Sequence, residues 1–218
     1  MKREIITTND GSSSLFVPEL DETYHSTFGA INEGLHVFIE KGFKAKLNGA
    51  DLNILEVGFG TGLNALLTVI NCSGQNVNVH YTGIEKYPIS PEESQVINYG
   101  EKLNAQKEFQ QLHDAPWETN CEITPQFTLL KQQMDLVKDP LAGNFDLVYF
   151  DAFAPNKQQS MWTLEVFEKI YTQMKPGALL VTYCCQGQVK RTMKAVGFTV
   201  NKTDGPPGKR EMLVATKF

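Results

Sequence analysis

The stretch Leu52–Asn64, LNILEVGFGTGLN, decides the fold. It begins with an apolar run typical of a buried β-strand, and Glu56 stands near the end of that run. Gly58, Gly60 and Gly62 follow at alternate positions and open a helical stretch. Glycine lets the backbone pass close to a ligand, because no Cβ stands in the way. The pattern therefore predicts a ligand site at a strand-to-helix turn, although an ordinary tight turn would have the same glycines.

From about residue 51 the chain alternates apolar runs with amphipathic stretches. This pattern predicts an α/β fold of Rossmann-like type, with a mostly parallel seven-stranded sheet and helices on both faces. The predicted strands are 52–57, 79–85, 127–131, 145–150, 178–184, 197–202 and 210–217, and the predicted helices are 62–72, 91–99 and 163–174. Residues 1–50, with a helix over 30–41, are expected to form an N-terminal extension or lid on a single domain, residues 51–218.

Composition narrows the possible classes of protein. The chain has 218 residues, of which 41% are hydrophobic, enough for one α/β domain with a buried core. No apolar run resembles a signal peptide or is long enough to span a bilayer, so we expect a cytoplasmic protein without membrane attachment. The four cysteines and four histidines lack the spacing of a zinc site, so no metal is expected. The net charge of -5 means that any RNA must bind to a local basic patch.

Two classes of cofactor compete for the glycine turn. The dinucleotide fingerprint is G-x-G-x-x-G, but here Leu63 follows Gly62, so the third glycine comes one place early. A pyrophosphate would be poorly placed near Glu56, whereas the cationic methionine end of S-adenosylmethionine would be favoured there. The turn therefore favours a class I methyltransferase domain over residues 51–218, with S-adenosylmethionine as its cofactor.

Two further acids follow predicted strands. Glu85 ends the second strand, where a carboxylate can accept hydrogen bonds from both ribose hydroxyls. Asp135, after the third strand, could accept from an adenine amino group. The predicted cofactor-binding residues are Glu56, Gly58, Phe59, Gly60, Gly62, Asn64, Glu85, Lys86, Met134 and Asp135.

The catalytic candidate is Asp151, the first residue of D-A-F-A-P after the fourth predicted strand. Open α/β sheets bind their ligands at the carboxyl edge, where this side chain should lie. An amine nucleophile must lose a proton before it can be methylated, and a carboxylate can orient the amine and accept that proton. The alternative role for Asp151 is a helix N-cap or a satisfied loop acid. Phe153 and Pro155 could form an apolar slot for an unpaired base, although Phe153 fits core packing equally well.

Basic residues near this edge, or in the C-terminal region, are candidates for contact with RNA phosphates. They are Lys157, Lys190, Arg191, Lys194, Lys209 and Arg210. Scattered lysines more commonly form an ordinary solvated surface, and the sequence does not show whether these six converge.

Taken together, these residues resemble a known family, the methyltransferase domain of the bifunctional tRNA 5-methylaminomethyl-2-thiouridine biosynthesis protein. The resemblance covers nearly the whole chain. It is carried by residues 21–26 (DETYHS), 56–64 (EVGFGTGLN), 85–88 (EKYP), 151–155 (DAFAP), Lys157, 161–162 (MW), 187–191 and 208–212 (GKREM). It departs from the family at Gln158-Gln159 and Cys184-Cys185-Gln186, which affects substrate contacts more than the reaction.

The resemblance implies methyl transfer from S-adenosylmethionine to the 5-aminomethyl group of a tRNA wobble uridine, which is frequently 2-thiolated. It implies that Asp151 is catalytic and that Glu85 and Asp135 bind the cofactor. Tyr24, Phe153, Pro155, Lys157, Arg191, Lys209 and Arg210 are the substrate-binding candidates. Because the flavin-dependent domain of the bifunctional protein is absent from this chain, we expect it to methylate a primary amine made by other enzymes.

Two other functions stay open. One is methyl or aminopropyl transfer to a small amine, because spermidine-synthase-like enzymes also carry glycine-rich turns and strand-end acids. The other is a non-catalytic tRNA-binding module that has kept the cofactor fold, although the presence of both Glu85 and Asp151 argues against it.

Overall fold

The computed structural model describes residues 2–218. Its strands are β1 (Glu4–Thr7), β2 (Ser13–Val17), β3 (Glu22–Thr23), β4 (Leu52–Val57), β5 (Val79–Glu85), β6 (Asn120–Thr124), β7 (Phe127–Gln133), β8 (Phe145–Phe150), β9 (Met174–Thr182), β10 (Thr199–Asp204) and β11 (Glu211–Thr216). Its α-helices are α1 (Ala30–Gly34), α2 (Lys44–Lys46), α3 (Leu63–Cys72), α4 (Pro91–Gln95), α5 (Tyr99–Lys102), α6 (Gln106–Asp114), α7 (Leu164–Thr172) and α8 (Gly187–Val196). A π-helical segment, Leu35–Phe43, joins α1 to α2, and a 3-10 turn, Gln159–Trp162, precedes α7.

The central sheet has eight strands in the order β10-β11-β9-β8-β4-β5-β7-β6. Its inner strands β9, β8, β4, β5 and β7 are parallel, whereas β6, β10 and β11 pair antiparallel with their neighbours. The mostly parallel Rossmann-like sheet is therefore confirmed, but the predicted count of seven strands was wrong. The additional strand is β6, an edge strand in which only Ile123 is buried, so it lacks the apolar run that marks the inner strands.

Helices cover both faces of this sheet. Along β4, Leu52 and Ile54 point to the core under α3 and the π-helical segment, whereas Leu55 and Val57 point to a second core under α7 and α8. Successive side chains of a strand point to opposite faces, so four apolar residues in one strand serve two cores. The predicted set of helices was incomplete. Helices α6 and α8 were not predicted, and the helix predicted over 91–99 is interrupted.

The interruption of that helix has a structural cause at Asn98. The Asn98 side chain accepts a hydrogen bond from the backbone N–H of Ser13 over 2.8 Å and donates to the carbonyl of Gly11 over 3.0 Å. Its own backbone N–H donates to the Ser13 hydroxyl over 3.2 Å. The break between α4 and α5 thus docks the N-terminal segment, a long-range contact that helical periodicity does not reveal.

The first fifty residues contain two structural parts. Residues 4–23 include a separate antiparallel sheet in the order β1-β2-β3. The helix predicted over 30–41 begins at Ala30 as expected and continues to Lys46. Phe38 and Phe43 of this helical segment are at most 1% exposed, and the Phe38 ring lies 5.1 Å from that of Tyr149 in β8. The helical segment is therefore part of the main core, whereas the small sheet is separate from the central sheet.

Two further observations concern membrane-spanning helices and the cysteines. None of the helices formed by residues 2–218 has the length and apolar character that a membrane crossing requires. The four cysteines are free thiols, two of them buried.

Candidate active site

The carboxyl ends of β4, β5, β7 and β8 open into one cavity of about 470 Å³. This volume is within the range of small-molecule and cofactor sites. The lining comes from the glycine turn, the strand ends, α3 and the N-terminal segment. The predicted site residues that line it are Tyr24, Gly58, Phe59, Gly60, Asn64, Glu85, Lys86, Met134, Asp135, Asp151 and Phe153. Residues far apart in sequence thus converge at the predicted edge of the sheet.

The glycine turn has a backbone that only glycine adopts without strain. Gly58, Gly60 and Gly62 have φ angles of 89°, 49° and 74°. A Cβ at Gly58 would lie 2.7 Å from the carbonyl oxygen of Asp151, and one at Gly60 would lie 3.1 Å from the Tyr24 ring. Gly62 does not line the cavity and instead forms the left-handed N-cap of α3.

Glu56 lies behind the cavity wall, not on it. Its side chain is 1% exposed, and one carboxyl oxygen accepts a hydrogen bond from the amide nitrogen of Asn64 over 2.9 Å. Burial, reinforced by the charge of Asp151, raises the pKa of Glu56 well above its usual range. Because Glu56 does not line the cavity, the contact with a cationic cofactor that the sequence suggested is not made in this geometry. Glu56 instead anchors Asn64.

Asp151 is half-buried at the cavity wall. One carboxylate oxygen accepts a hydrogen bond from the Asn64 amide nitrogen over 2.8 Å, and the residue caps no helix. Burial and the nearby charge of Glu33 raise the pKa of Asp151 to about 7, against the opposing effects of Asn64 and Lys209. A carboxylate that titrates near neutral pH is suited to accept a proton from a bound substrate.

The two acids predicted to bind a cofactor are held in fixed orientations. Glu85 accepts backbone hydrogen bonds from Gly60 over 3.0 Å and from Tyr87 over 2.8 Å. Asp135 pairs with Lys86 over 3.0 Å. Burial opposes ionisation of Asp135, but the hydrogen bonds from Lys86 and from the backbone N–H of Val137, together with the charges of Lys86 and Lys138, outweigh it and lower the pKa of the carboxyl group. Both carboxylates can thus act as acceptors at the ends of adjacent strands.

The cavity fits S-adenosylmethionine by this chemistry. The glycine turn presents backbone without side chains, as close approach of a nucleoside requires. Glu85 and Asp135 offer carboxylate oxygens of the kind that accept hydrogen bonds from ribose hydroxyls and from an adenine amino group, and Met134 adds an apolar surface to the same lining. Among residues 2–218, no cluster of three or more metal-ligating side chains is present.

An aromatic pair lies on the N-terminal side of the cavity. The rings of Tyr24 and Phe153 meet edge to face with centroids 5.2 Å apart. The Tyr24 hydroxyl accepts a hydrogen bond from Nε of Arg3 over 2.8 Å. Arg3 also pairs with Glu93 over 3.0 Å and donates to the carbonyl of Tyr87. The N-terminal sheet is therefore clasped to the strand end that carries Glu85.

The remaining substrate-binding candidates do not form one patch. Pro155 and Arg191 line a second, shallower cavity of about 860 Å³ between the loop after β8 and the start of α8. Lys157 pairs with Asp21 over 3.4 Å. Arg210 is exposed and, with Lys190 and Lys202, lies within electrostatic range of Glu211. Lys209 instead points inward and pairs with Glu33.

Sequence reasoning missed two residues near Asp151. Glu33 is 7% exposed and His25 lines the cavity. Burial lowers the pKa of His25 to about 4, so its ring is neutral at pH 7. Glu33 could have been found, because Ala30, Glu33, Gly34 and Val37 follow the i, i+3, i+4, i+7 pattern of a buried helix face. An acid on such a face needs a buried partner.

A mostly parallel sheet with a glycine turn and strand-end acids around one cavity defines a Rossmann-like enzyme that binds a nucleoside cofactor. The chain belongs to the S-adenosyl-L-methionine-dependent methyltransferase family whose sequence model matches residues 97–218, more than half of its length. It is accordingly a methyltransferase, and its cofactor is S-adenosylmethionine.

Curated relatives match almost the entire chain. The tRNA 5-methylaminomethyl-2-thiouridine biosynthesis bifunctional protein MnmC of Cupriavidus necator is 31% identical over 215 residues, which cover 92% of this chain and 32% of that protein. The protein of the same name from Leptospira interrogans is 30% identical over 213 residues, which cover 91% of this chain and 33% of that protein. The chain thus spans about a third of the length of the curated relatives it matches.

Solved structures share the fold of this chain. MnmC2 from Aquifex aeolicus superposes with a TM-score of 0.77 at 28% identity, covering 99% of this chain and 70% of that one. Spermidine synthase from Thermotoga maritima superposes with a TM-score of 0.59 at 13% identity, covering 100% and 75%. The second likeness shows the shared fold alone.

Proposed function

We propose that this enzyme methylates the primary amine of 5-aminomethyluridine, or its 2-thio form, at the wobble position of tRNA in the cytoplasm. The product is the corresponding 5-methylaminomethyluridine. One observation carries the proposal: the cavity wall presents the Asp151 carboxylate, oriented by a hydrogen bond from the Asn64 amide, and Phe153 lines the same cavity. The names of the related proteins, which describe tRNA biosynthesis, support the choice of tRNA as substrate.

Asp151 activates the amine in this proposal. At neutral pH an alkylamine arrives protonated, and its nitrogen has no free lone pair for attack on a methyl group. Asp151 accepts that proton and holds the nitrogen by a hydrogen bond, while Asn64 fixes the orientation of the carboxylate. S-adenosylmethionine supplies an electrophilic methyl group bonded to a sulfonium sulfur. This methyl group would be transferred to the amine nitrogen, and the sulfur would leave as the neutral thioether of S-adenosylhomocysteine.

The cofactor is held by the glycine turn and the strand-end acids. Glu85 would accept hydrogen bonds from the ribose hydroxyls, and Asp135 would accept from the adenine amino group. Phe59, Lys86 and Met134 complete the walls of the cavity. Glu56 and Gly62 act indirectly, through Asn64 and through the start of α3.

The substrate nucleotide enters from the side of the N-terminal sheet. Tyr24 and Phe153 provide the aromatic surface on which an unpaired uracil ring packs. Residues 1–50 act partly as a lid, because Tyr24 comes from this segment. Contacts to flanking nucleotides come from the more distant candidates, which are Pro155, Lys157, Arg191 and Arg210.

The experiment is an assay with labelled S-adenosylmethionine and tRNA that carries 5-aminomethyluridine, followed by nucleoside analysis. We expect the methylated nucleoside from the wild-type enzyme. Asp151→Asn should lower kcat by about 10²- to 10⁴-fold, while the Kd for the cofactor stays within about threefold. Asp114→Asn, an exposed substitution on α6, is the control.

Three results would contradict parts of this proposal. Cofactor binding without any change to the tRNA would exclude the proposed substrate. Faster transfer to free polyamines, of a methyl or an aminopropyl group, would favour a small-amine enzyme. Full activity of Asp151→Asn would remove the catalytic role of Asp151.

A further inference from the structure

A partly buried ion pair lies near the proposed catalytic acid. The Glu33 carboxylate, on α1, is 2.5 Å from Nζ of Lys209, in the turn between β10 and β11. Its other oxygen accepts a hydrogen bond from the backbone N–H of Ser26 over 2.9 Å. The side chains of Glu33 and Lys209 are 9% and 32% exposed. Both oxygens of Glu33 therefore have partners, and the Lys209 side chain is partly shielded from solvent.

The pair is linked to the backbone next to Asp151 through Tyr183. The Lys209 ammonium lies 3.9 Å from the centroid of the Tyr183 ring, and the Tyr183 hydroxyl donates to the carbonyl of Ala152 over 2.8 Å. Ala152 follows Asp151 in the chain. The charges of both Glu33 and Lys209 act on the Asp151 carboxyl group. The other titratable groups whose charges interact with Asp151 are Glu56, Tyr81, Tyr99 and Tyr183.

Lys209 is the cation among these groups, and a cation near a catalytic carboxylate has two possible partners here. Paired with Asp151, it would occupy the oxygens that a substrate amine must contact. Paired with Glu33, it leaves them free. We propose that Glu33 sequesters the ammonium group of Lys209 and thereby keeps the Asp151 carboxylate available for the substrate amine. This inference rests on the proposed role of Asp151, and it makes Glu33 and Lys209 positioning residues.

The two single substitutions are expected to act in opposite directions. Glu33→Gln removes the partner of Lys209, which then pairs with Asp151. The acid limb of the kcat/KM profile should move down by about one pH unit, and kcat should fall about tenfold. Lys209→Met leaves the Glu33 charge uncompensated, so the acid limb should move up by about one pH unit. In the double variant both charges are absent, and kcat should return to within about threefold of wild type.

A direct titration of Asp151 tests the inference without tRNA. The carboxyl resonance of ¹³C-labelled aspartate, assigned by its loss in Asp151→Asn, is followed against pH in the full-length wild-type protein and the three variants. Asp146→Asn and Lys175→Met are matched controls, because that pair has similar exposure, 16% and 31%, and lies at the opposite end of β8. Thermal unfolding checks that every variant is folded.

Opposite shifts of the Asp151 resonance, together with recovery in the double variant, would support the proposal. Shifts in the same direction, or a double variant whose loss equals the product of the two single losses, would overturn it and leave the pair a structural role only. If the resonance shifts as expected but the wild-type enzyme leaves tRNA unchanged, the proposed substrate fails while the sequestration of Lys209 stands.

Discussion

The side-chain amide nitrogen of Asn64 lies 2.8 Å from a carboxylate oxygen of Asp151, and the same nitrogen lies 2.9 Å from a carboxyl oxygen of Glu56. The Asn64 amide, in the first turn of α3, thus joins Glu56 at the end of β4 to Asp151 just after β8. Glu56 is 1% exposed and does not line the cavity, so it holds Asn64 in place without competing for the substrate. The glycine turn and the catalytic candidate are coupled through this contact.

The first prediction concerns this amide. Asn64→Leu keeps the volume but removes the donor, and the hydrogen bond from Asn64 is one of the influences that lower the pKa of Asp151. The pKa should therefore rise further above 7, and the acid limb of the kcat/KM profile should move up by about one pH unit. Activity at pH 7 should fall about tenfold and largely recover at pH 9. An equal loss at every pH would contradict this explanation.

A second prediction concerns Glu85. Its carboxylate is fixed by backbone N–H groups of Gly60 and Tyr87, so it is preorganised to accept hydrogen bonds from a diol. Glu85→Gln replaces part of that acceptor capacity with a donor, and the Kd for S-adenosylmethionine should rise about 10- to 100-fold, measured by calorimetry. Glu122→Gln, an exposed acid on β6, is the control and should leave the Kd unchanged.

The third prediction compares two glycines with positive φ angles, one of which also lies too close to its neighbours for a side chain. Gly58 and Gly177 have similar φ angles, 89° and 76°. A Cβ at Gly58 would lie 2.7 Å from the Asp151 carbonyl oxygen, whereas one at Gly177 would meet no atom within 4 Å. Gly177→Ala should therefore cost only about 1 kcal/mol in the free energy of unfolding, from its φ angle alone. Gly58→Ala should cost more and should also weaken cofactor binding. The free energies of unfolding of both variants are measured by thermal and chemical denaturation. If Gly58→Ala and Gly177→Ala lost the same free energy, the backbone near Gly58 would have moved enough to relieve the clash.

The parallel strands and most of the cavity could be predicted from sequence for one physical reason. The carboxyl ends of parallel strands meet at one edge of the sheet, so Glu85, Asp135 and Asp151 converge there once the strands are recognised. The inner strands are recognisable because both of their faces are buried, which gives nearly continuous apolar runs. The glycine turn fixes the position of the first strand end along the chain.

Features that depend on long-range contacts could not be predicted in the same way. Strand β6 is polar and pairs at one edge only, so its sequence resembles a loop. The break at Asn98 exists because the N-terminal sheet docks there. The pairing of Lys209 with Glu33 joins residues 176 positions apart, and Lys209 was indistinguishable in sequence from its exposed neighbour Arg210.

The last prediction concerns the clasp at Arg3. Its side chain is only 6% exposed and joins three partners: the Tyr24 hydroxyl, the Glu93 carboxylate and the Tyr87 carbonyl. Arg3→Ala leaves Tyr24 without its donor, so the N-terminal sheet should open more often over the cavity. Hydrogen exchange should accelerate across residues 4–29, and cofactor dissociation should quicken about tenfold, since breaking such a contact costs roughly 1 to 3 kcal/mol. Lys2→Ala is the control, because the Lys2 side chain is 71% exposed and pairs only with Glu4. If Arg3→Ala exchanged as slowly as this control, the segment would be held by β2 and the Asn98 contacts instead, and its role as a lid would have to be given up.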